Sequence, residues 1–242
     1  MSEQHFNSET RPVSGFNKLV VKSIGSVILT QGTQESLVIE ADRDMRERIH
    51  TEVRDGVLTI SYDFDFISDV FGLRFINANP IRYYVTMVNI NGVTNSGVGT
   101  LQASPIQSGA FELTLNGAGS VDFQSVTAPT MSISLSGAGS IKMPAIATQK
   151  LTASLSGAGS IRLAGKADDQ QVRLSGAGSY EGGCLESQTI NVRVSGAGSA
   201  TVWANDTLDA SLSSIGSIQY YGTPHVTSQV SGLGKINNLG NR

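Results

Sequence analysis

Hydrophobic and polar positions alternate with a period of two through much of the chain. Met131-Ser-Ile133-Ser-Leu135, Leu151-Thr-Ala153-Ser-Leu155, Ile190-Asn-Val192-Arg-Val194 and Leu208-Asp-Ala210-Ser-Leu212 each read as a strand with one face buried. Shorter runs of the same kind follow them: Val121-Asp-Phe123, Ile141-Lys-Met143, Ile161-Arg-Leu163, Ala200-Thr-Val202 and Ile218-Gln-Tyr220. Between the long and the short run stands a pentapeptide, SGVGT at 96–100, NGAGS at 116–120, SGAGS at 136–140, 156–160, 175–179 and 195–199, then SSIGS at 213–217 and SGLGK at 231–235. Successive starts lie 20, 20, 20, 19, 20, 18 and 18 residues apart. A period near 20 marks a solenoid whose units stack to bury their apolar faces. Two strands and a connection within 18–20 residues leave no room for a helix, so the expected fold is all-β, a parallel β-helix with one coil per repeat. Eight coils about 4.8 Å apart would form a rod roughly 35–40 Å long.

Within the pentapeptide, Ala118, Ala138, Ala158, Ala177 and Ala197 are expected to point inward at a corner, with Ile215 and Leu233 in their place in the last copies. The flanking pairs Gly117 and Gly119, Gly137 and Gly139, Gly157 and Gly159, Gly176 and Gly178, and Gly196 and Gly198 are read as structural corners that allow a bend and close backbone approach. Stacking then aligns Ser120, Ser140, Ser160, Ser179, Ser199 and Ser217 in one ladder, and Ser136, Ser156, Ser175, Ser195, Ser213 and Ser231 in another. The outward column after the pentapeptide reads Asp122, Lys142, Arg162, Glu181, Thr201, Gln219, which makes opposite charges neighbours at two steps.

The chain changes character near Asn79-Pro80: 21 of its 37 charged residues but only 5 of its 27 glycines precede residue 83. The organisation expected is a disordered N-terminus at 1–10, a β-rich part at 11–82, the β-helix at 83–238 and a short tail at 239–242. In the β-rich part, Asp55-Gly56 predicts a hairpin between Thr51-Glu-Val53 and Val57-Leu-Thr-Ile60. The polar stretch 42–50 reads as a helical turn or an arm. Lys22-Ser-Ile-Gly-Ser-Val27 echoes Ser213-Ser-Ile-Gly-Ser-Ile218, so this part is expected to carry related coils or to cap the strand edge at one end of the rod.

Arg11-Pro-Val-Ser-Gly-Phe16, Val27-Ile-Leu-Thr-Gln-Gly32, Leu37-Val-Ile-Glu-Ala41, Gly56-Val-Leu-Thr-Ile60 and the SGAGS ladder together resemble the bacterial head GIN-domain family of auto-transporter adhesins, over about residues 11–237. The resemblance implies a right-handed β-helix, an extracytoplasmic or cell-surface location and adhesin-like binding. It supplies no catalytic residues. Met1-Ser-Glu-Gln-His5 lacks the apolar stretch of a signal peptide, which leaves a cytosolic location or a trimmed export segment as readings.

Composition narrows the function classes. A net charge of −3 with no basic run beyond the mixed stretch 43–54 argues against nucleic acid. No apolar run approaches the ~18 residues of a membrane span. The glycine pairs form no phosphate loop, because GxxxxGK[ST] and GxGxxG are both absent, and no GxSxG elbow occurs. His5, His50 and His225 lack metal-ligand spacing, and the single cysteine, Cys184, is read as a semi-buried structural thiol.

Asp63, Asp65 and Asp69 form the densest acidic group. Alternation would set Asp63 and Asp65 on one strand face, either as ligands for a hard cation or as a solvated edge, and the second reading is preferred. Phe66, Phe71 and Phe75 are read as core of the N-terminal part or as a patch for another subunit or ligand. Neither a metal nor a cofactor is implied. The function expected is non-enzymatic binding or scaffolding, through which a rigid Ser/Thr-lined face contacts carbohydrate or a surface protein. The alternative is a polysaccharide lyase or hydrolase, which needs converging carboxylates that the outward columns do not supply. Homo-oligomerisation through coil ends or the 66–75 segment is a third reading.

Overall fold

The computed structural model describes residues 8–63, 80–213 and 215–242. Its strands form one continuous sheet wound into stacked parallel coils, a β-solenoid. Each central coil has three faces. The first is built from Ala110–Leu115, Thr130–Leu135 and their successors, in parallel register from Leu113↔Ile133 onward. The second follows the pentapeptide, with Ser120↔Ser140, Ser140↔Ser160, Ser160↔Ser179, Ser179↔Ser199 and Ser199↔Ser217 as direct partners. The third comes from the connecting stretches, as in Ile106–Gln107 against Val126–Thr127. In the middle coils the faces fuse into strands of 14–16 residues that run through the corners, such as Ser140–Leu155 and Ser199–Leu212.

The core is a set of stacked apolar columns. Leu115, Leu135, Leu155, Leu174, Val194 and Leu212 form one, and Phe111, Met131, Leu151, Ile190 and Leu208 belong to another. Gln170 interrupts the second column: it is register partner to Leu151 and Ile190, and it is only 2% exposed. Among the described residues its amide oxygen and nitrogen have no hydrogen-bond partner, and neither have the buried hydroxyls of Tyr180 and Ser187 in the same coil.

The pentapeptide alanines do not point inward. Ala118, Ala138, Ala158, Ala177 and Ala197 are exposed, as are Val98, Ile215 and Leu233 in the same position. Period-two alternation continues unbroken from buried Leu135 to buried Ile141, so Ser136, Ala138 and Ser140 face outward and Gly137 and Gly139 take the inward positions. A β-carbon at Gly137 would collide with the carbonyl oxygen of Gly117, and one at Gly139 with that of Gly119. None of these corner glycines has a positive φ. What they supply is room for the preceding coil, not an unusual backbone. The ladder consequently passes through the corner intact, with the Ser156 amide donating to Leu135 O at 2.9 Å and the Ser160 amide to Gly139 O at 3.0 Å.

The N-terminal residues wind into the same stack, out of chain order. Lys18–Lys22 pairs in parallel with Gly92–Asn95 on one side and with Val57–Tyr62 on the other. Ile24–Gln31 likewise lies between Val98–Ala103 and Arg82–Met87. The coil 18–31 is therefore inserted between the strands Val57–Tyr62 and Arg82–Met87 on one side and the coil 92–107 on the other, and Gly25 is register partner to Gly99. The Ser-Ile-Gly-Ser echo at 23–26 is thus a pentapeptide corner. Antiparallel strands cover the end: Ser36–Glu40 pairs with Arg82–Met87, Ser8–Arg11 with Ser36–Glu40, and Ile49–Arg54 with Val57–Tyr62. Ser8–Thr10, expected to be disordered, belong to the outermost of these strands. The hairpin turns at Asp55 (φ 50°) and Gly56 (φ 76°), left-handed conformations that suit this residue pair. The polar stretch holds one helical turn, Arg43–Arg46.

Candidate functional site

One regular surface is the outward side of the first face. Glu112, Ser132, Thr152, Gln171, Asn191, Asp209 and Thr227 are successive register partners, and so are Thr114, Ser134, Ser154, Arg173, Arg193, Ser211 and Gln229. Each row arises because its residues sit between inward apolar neighbours, as Thr152 and Ser154 do between Leu151, Ala153 and Leu155. Seven coils at the spacing of a parallel sheet extend a row over about 29 Å. The rows offer hydroxyl, amide and guanidinium groups held by a rigid backbone. Some are bonded to one another, as where Asn191 Nδ2 donates to Asp209 Oδ2 at 2.7 Å.

The outward column of the second face has the charge order read from the sequence. Lys142 Nζ lies 3.9 Å from Asp122 Oδ2, and Arg162 grips Glu181 Oε2 through Nη2 at 2.6 Å and Nε at 2.7 Å. Cys184 stands beside this column and is exposed, not semi-buried. It borders a cleft of about 350 Å³ with Arg162, Glu181, Thr201 and Tyr221. The Arg242 guanidinium stacks 5.3 Å from the Tyr221 ring and donates to the carbonyl oxygen of Gly183. On the third face Lys166 Nζ reaches Glu186 Oε2 at 3.3 Å, and Asn205 Nδ2 donates to Glu186 Oε1 at 3.0 Å. The Asn205 and Lys166 contacts lower the Glu186 pKa.

Of the acidic group, Asp63 is held by His50, with Nε2 and Oδ2 2.7 Å apart, and its amide donates to Arg48 O at 3.0 Å. Asp65 and Asp69 lie outside the described residues, as do Phe66, Phe71 and Phe75. Among the described residues no three His, Cys, Asp or Glu side chains gather as a metal site, and no two carboxylates are register partners. His50 and His225 belong to opposite ends of the stack. No helix among the described residues is long and apolar enough to cross a membrane.

The column after the pentapeptide does not point to Arg173 and Arg193. The signal that does is the position two residues before SGAGS, which is arginine in two consecutive repeats, Gln171-Val-Arg173-Leu174 and Asn191-Val-Arg193-Val194. The two side chains border a groove of about 420 Å³ where the first face meets the pentapeptide corner.

Stacked coils of this period with their glycine corners define a β-solenoid, and comparison with known proteins places it. The chain belongs to the family described as "putative auto-transporter adhesin, head GIN domain", whose model matches residues 15–144 and again 112–224. Three solved structures share its fold. One, from Parabacteroides merdae and titled a putative adhesin, has a TM-score of 0.85 and 20% identity over 96% of this chain and 95% of that one. Another, from Parabacteroides distasonis and titled a putative lipid binding protein, gives 0.84 and 22% over 97% and 98%. A putative adhesin from Bacteroides fragilis gives 0.72 and 23% over 98% of each chain. Comparison with curated proteins gives no match.

Proposed function

We propose that the protein is an extracytoplasmic, non-enzymatic adhesin-like module that binds glycans through the outward rows of its first face. The observation that carries this reading is the pair of unbroken polar rows on seven consecutive coils. Glycans present many hydroxyls at regular intervals and are held by many modest hydrogen bonds. A surface whose donors and acceptors are fixed by the sheet loses little side-chain freedom when it engages them. Membership of the adhesin family supports a surface role. The continuous sheet supports a rigid one, because the long strands of the central coils are bonded on both sides.

The test is binding of the purified chain to a glycan array and, in parallel, to whole bacterial and host cells. The reading expects a set of related glycans to be retained and cell binding to be competed by them. Blank results in both assays would remove it.

A further inference from the structure

Charges on neighbouring coils follow a rule. Where charged side chains are register partners, each cation has a carboxylate beside it on a neighbouring coil, as in Asp122 with Lys142, Arg162 with Glu181, Lys150 with Asp169 and Lys166 with Glu186. Lys142 and Arg162 are like charges in register, but each has a carboxylate on its other side, at 3.9 Å and 2.6 Å.

Arg173 and Arg193 break the rule. They are direct register partners, both are exposed, and among the described residues neither has an ion pair. Their row continues as Ser154 before Arg173 and Ser211 after Arg193. The carboxylate diagonal to Arg193, that of Asp209, accepts from Asn191. Like charges directly in register destabilise a sheet. Here they face a groove of about 420 Å³ that the corner serines Ser175 and Ser195 also line. Two arginines in register on strands about 4.8 Å apart can bring both guanidinium forks to the oxygens of one carboxylate or sulfate.

We propose that this groove binds the anionic group of an acidic glycan, a carboxylate or sulfate, between Arg173 and Arg193, while the serine hydroxyls take the neighbouring sugar hydroxyls. The inference rests on the glycan-binding reading and names its ligand class. A glycan is favoured over a lipid headgroup because serines surround the arginines and none of the exposed large apolar side chains lines the groove.

The test is titration of the full chain with polygalacturonate oligosaccharides, sulfated heparin-derived oligosaccharides, neutral maltooligosaccharides, sodium sulfate and phosphatidylglycerol vesicles. It is run on the wild type, on Arg173→Gln/Arg193→Gln and on Arg162→Gln, with circular dichroism to confirm that each variant is folded. The expected result is at least tenfold tighter binding of one acidic oligosaccharide class than of the neutral one. That preference should weaken with salt, fall tenfold or more in the double variant and change less than twofold in Arg162→Gln. Equal binding of acidic and neutral oligosaccharides, unaffected by the double variant, overturns the site and leaves glycan binding standing. No binding of any oligosaccharide overturns both. Sulfate ion bound as tightly as the oligosaccharides, or vesicles bound in their stead, overturns the glycan assignment.

Discussion

A β-carbon on Gly157 would overlap the carbonyl oxygen of Gly137 on the preceding coil, well inside the 3.0 Å that real Cβ contacts do not breach. The obstacle is backbone in the middle of a ladder, which cannot move without separating two coils. Gly157→Ala should therefore destabilise the protein by at least about 2 kcal/mol, whereas Ala158→Ser, at the exposed position next to it, should stay within about 0.5 kcal/mol. Urea denaturation of the two variants checks this. Equal effects would contradict the parity found at the corner.

Gln170 and Tyr180 place polar atoms in the core without partners. A buried unsatisfied group costs about 1–3 kcal/mol, and the column above and below Gln170 is Leu151 and Ile190. Gln170→Leu and Tyr180→Phe should each raise stability by an amount in that range, read as an increase in the urea midpoint. A fall for both would mean that these groups are satisfied in solution.

Tyr83 is fully buried and its hydroxyl lies 2.6 Å from Ser23 Oγ. Burial pushes its pKa up to about 12, against the opposing pull of the Ser23 hydrogen bond. The unfolded chain ionises this group near pH 10, before the folded one does. The stabilisation is therefore fully present below pH 10 and is lost as pH rises from 10 through about 12, by about 2–3 kcal/mol. Burial also raises the pKa of Tyr180, which adds in the same direction. The check is the urea midpoint followed from pH 8 to 12, and a flat profile would contradict it.

The contact of Arg162 with Glu181, in which Nε and Nη2 both donate to Oε2, joins two coils at the surface. Both side chains are largely solvated, so a double-mutant cycle to alanine should give a coupling of only about 0.3–1 kcal/mol, weaker at 1 M salt. The uncompensated pair should behave in the opposite way. Arg173→Gln is expected to leave stability unchanged or to raise it by a few tenths of a kcal/mol, because it removes a like-charge contact.

Much of this architecture was legible because the repeat is local. The spacing of the pentapeptides sets the register of the second face, and the alternation around Leu135 and Ile141 sets which side chains enter the core. The same alternation, counted through SGAGS, places Ala138 outside, whereas the corner reading placed it inside. The insertion of coil 18–31 between the strands Val57–Tyr62 and Arg82–Met87 and the coil 92–107 was hidden, since a strand's own residues do not say which distant strands it pairs with. Only the Ser-Ile-Gly-Ser echo hinted at it. The exposure of Cys184 was hidden for another reason. Register shifts between Glu181 and Glu186, so alternation cannot be counted across it. The Arg173 and Arg193 groove needed one further step, a comparison of the residue two before each pentapeptide across coils.

The central claim is that the outward rows of the first face form the binding surface. The most direct measurement is glycan-array binding by the wild type, by Ser134→Tyr/Ser154→Tyr on that face and by Lys142→Gln/Arg162→Gln on the second face. The account predicts that the wild type retains a set of glycans, that the tyrosine variant loses them at least tenfold and that the second-face variant keeps them. Retention by the tyrosine variant with loss in the other, or no retention by the wild type, would contradict it.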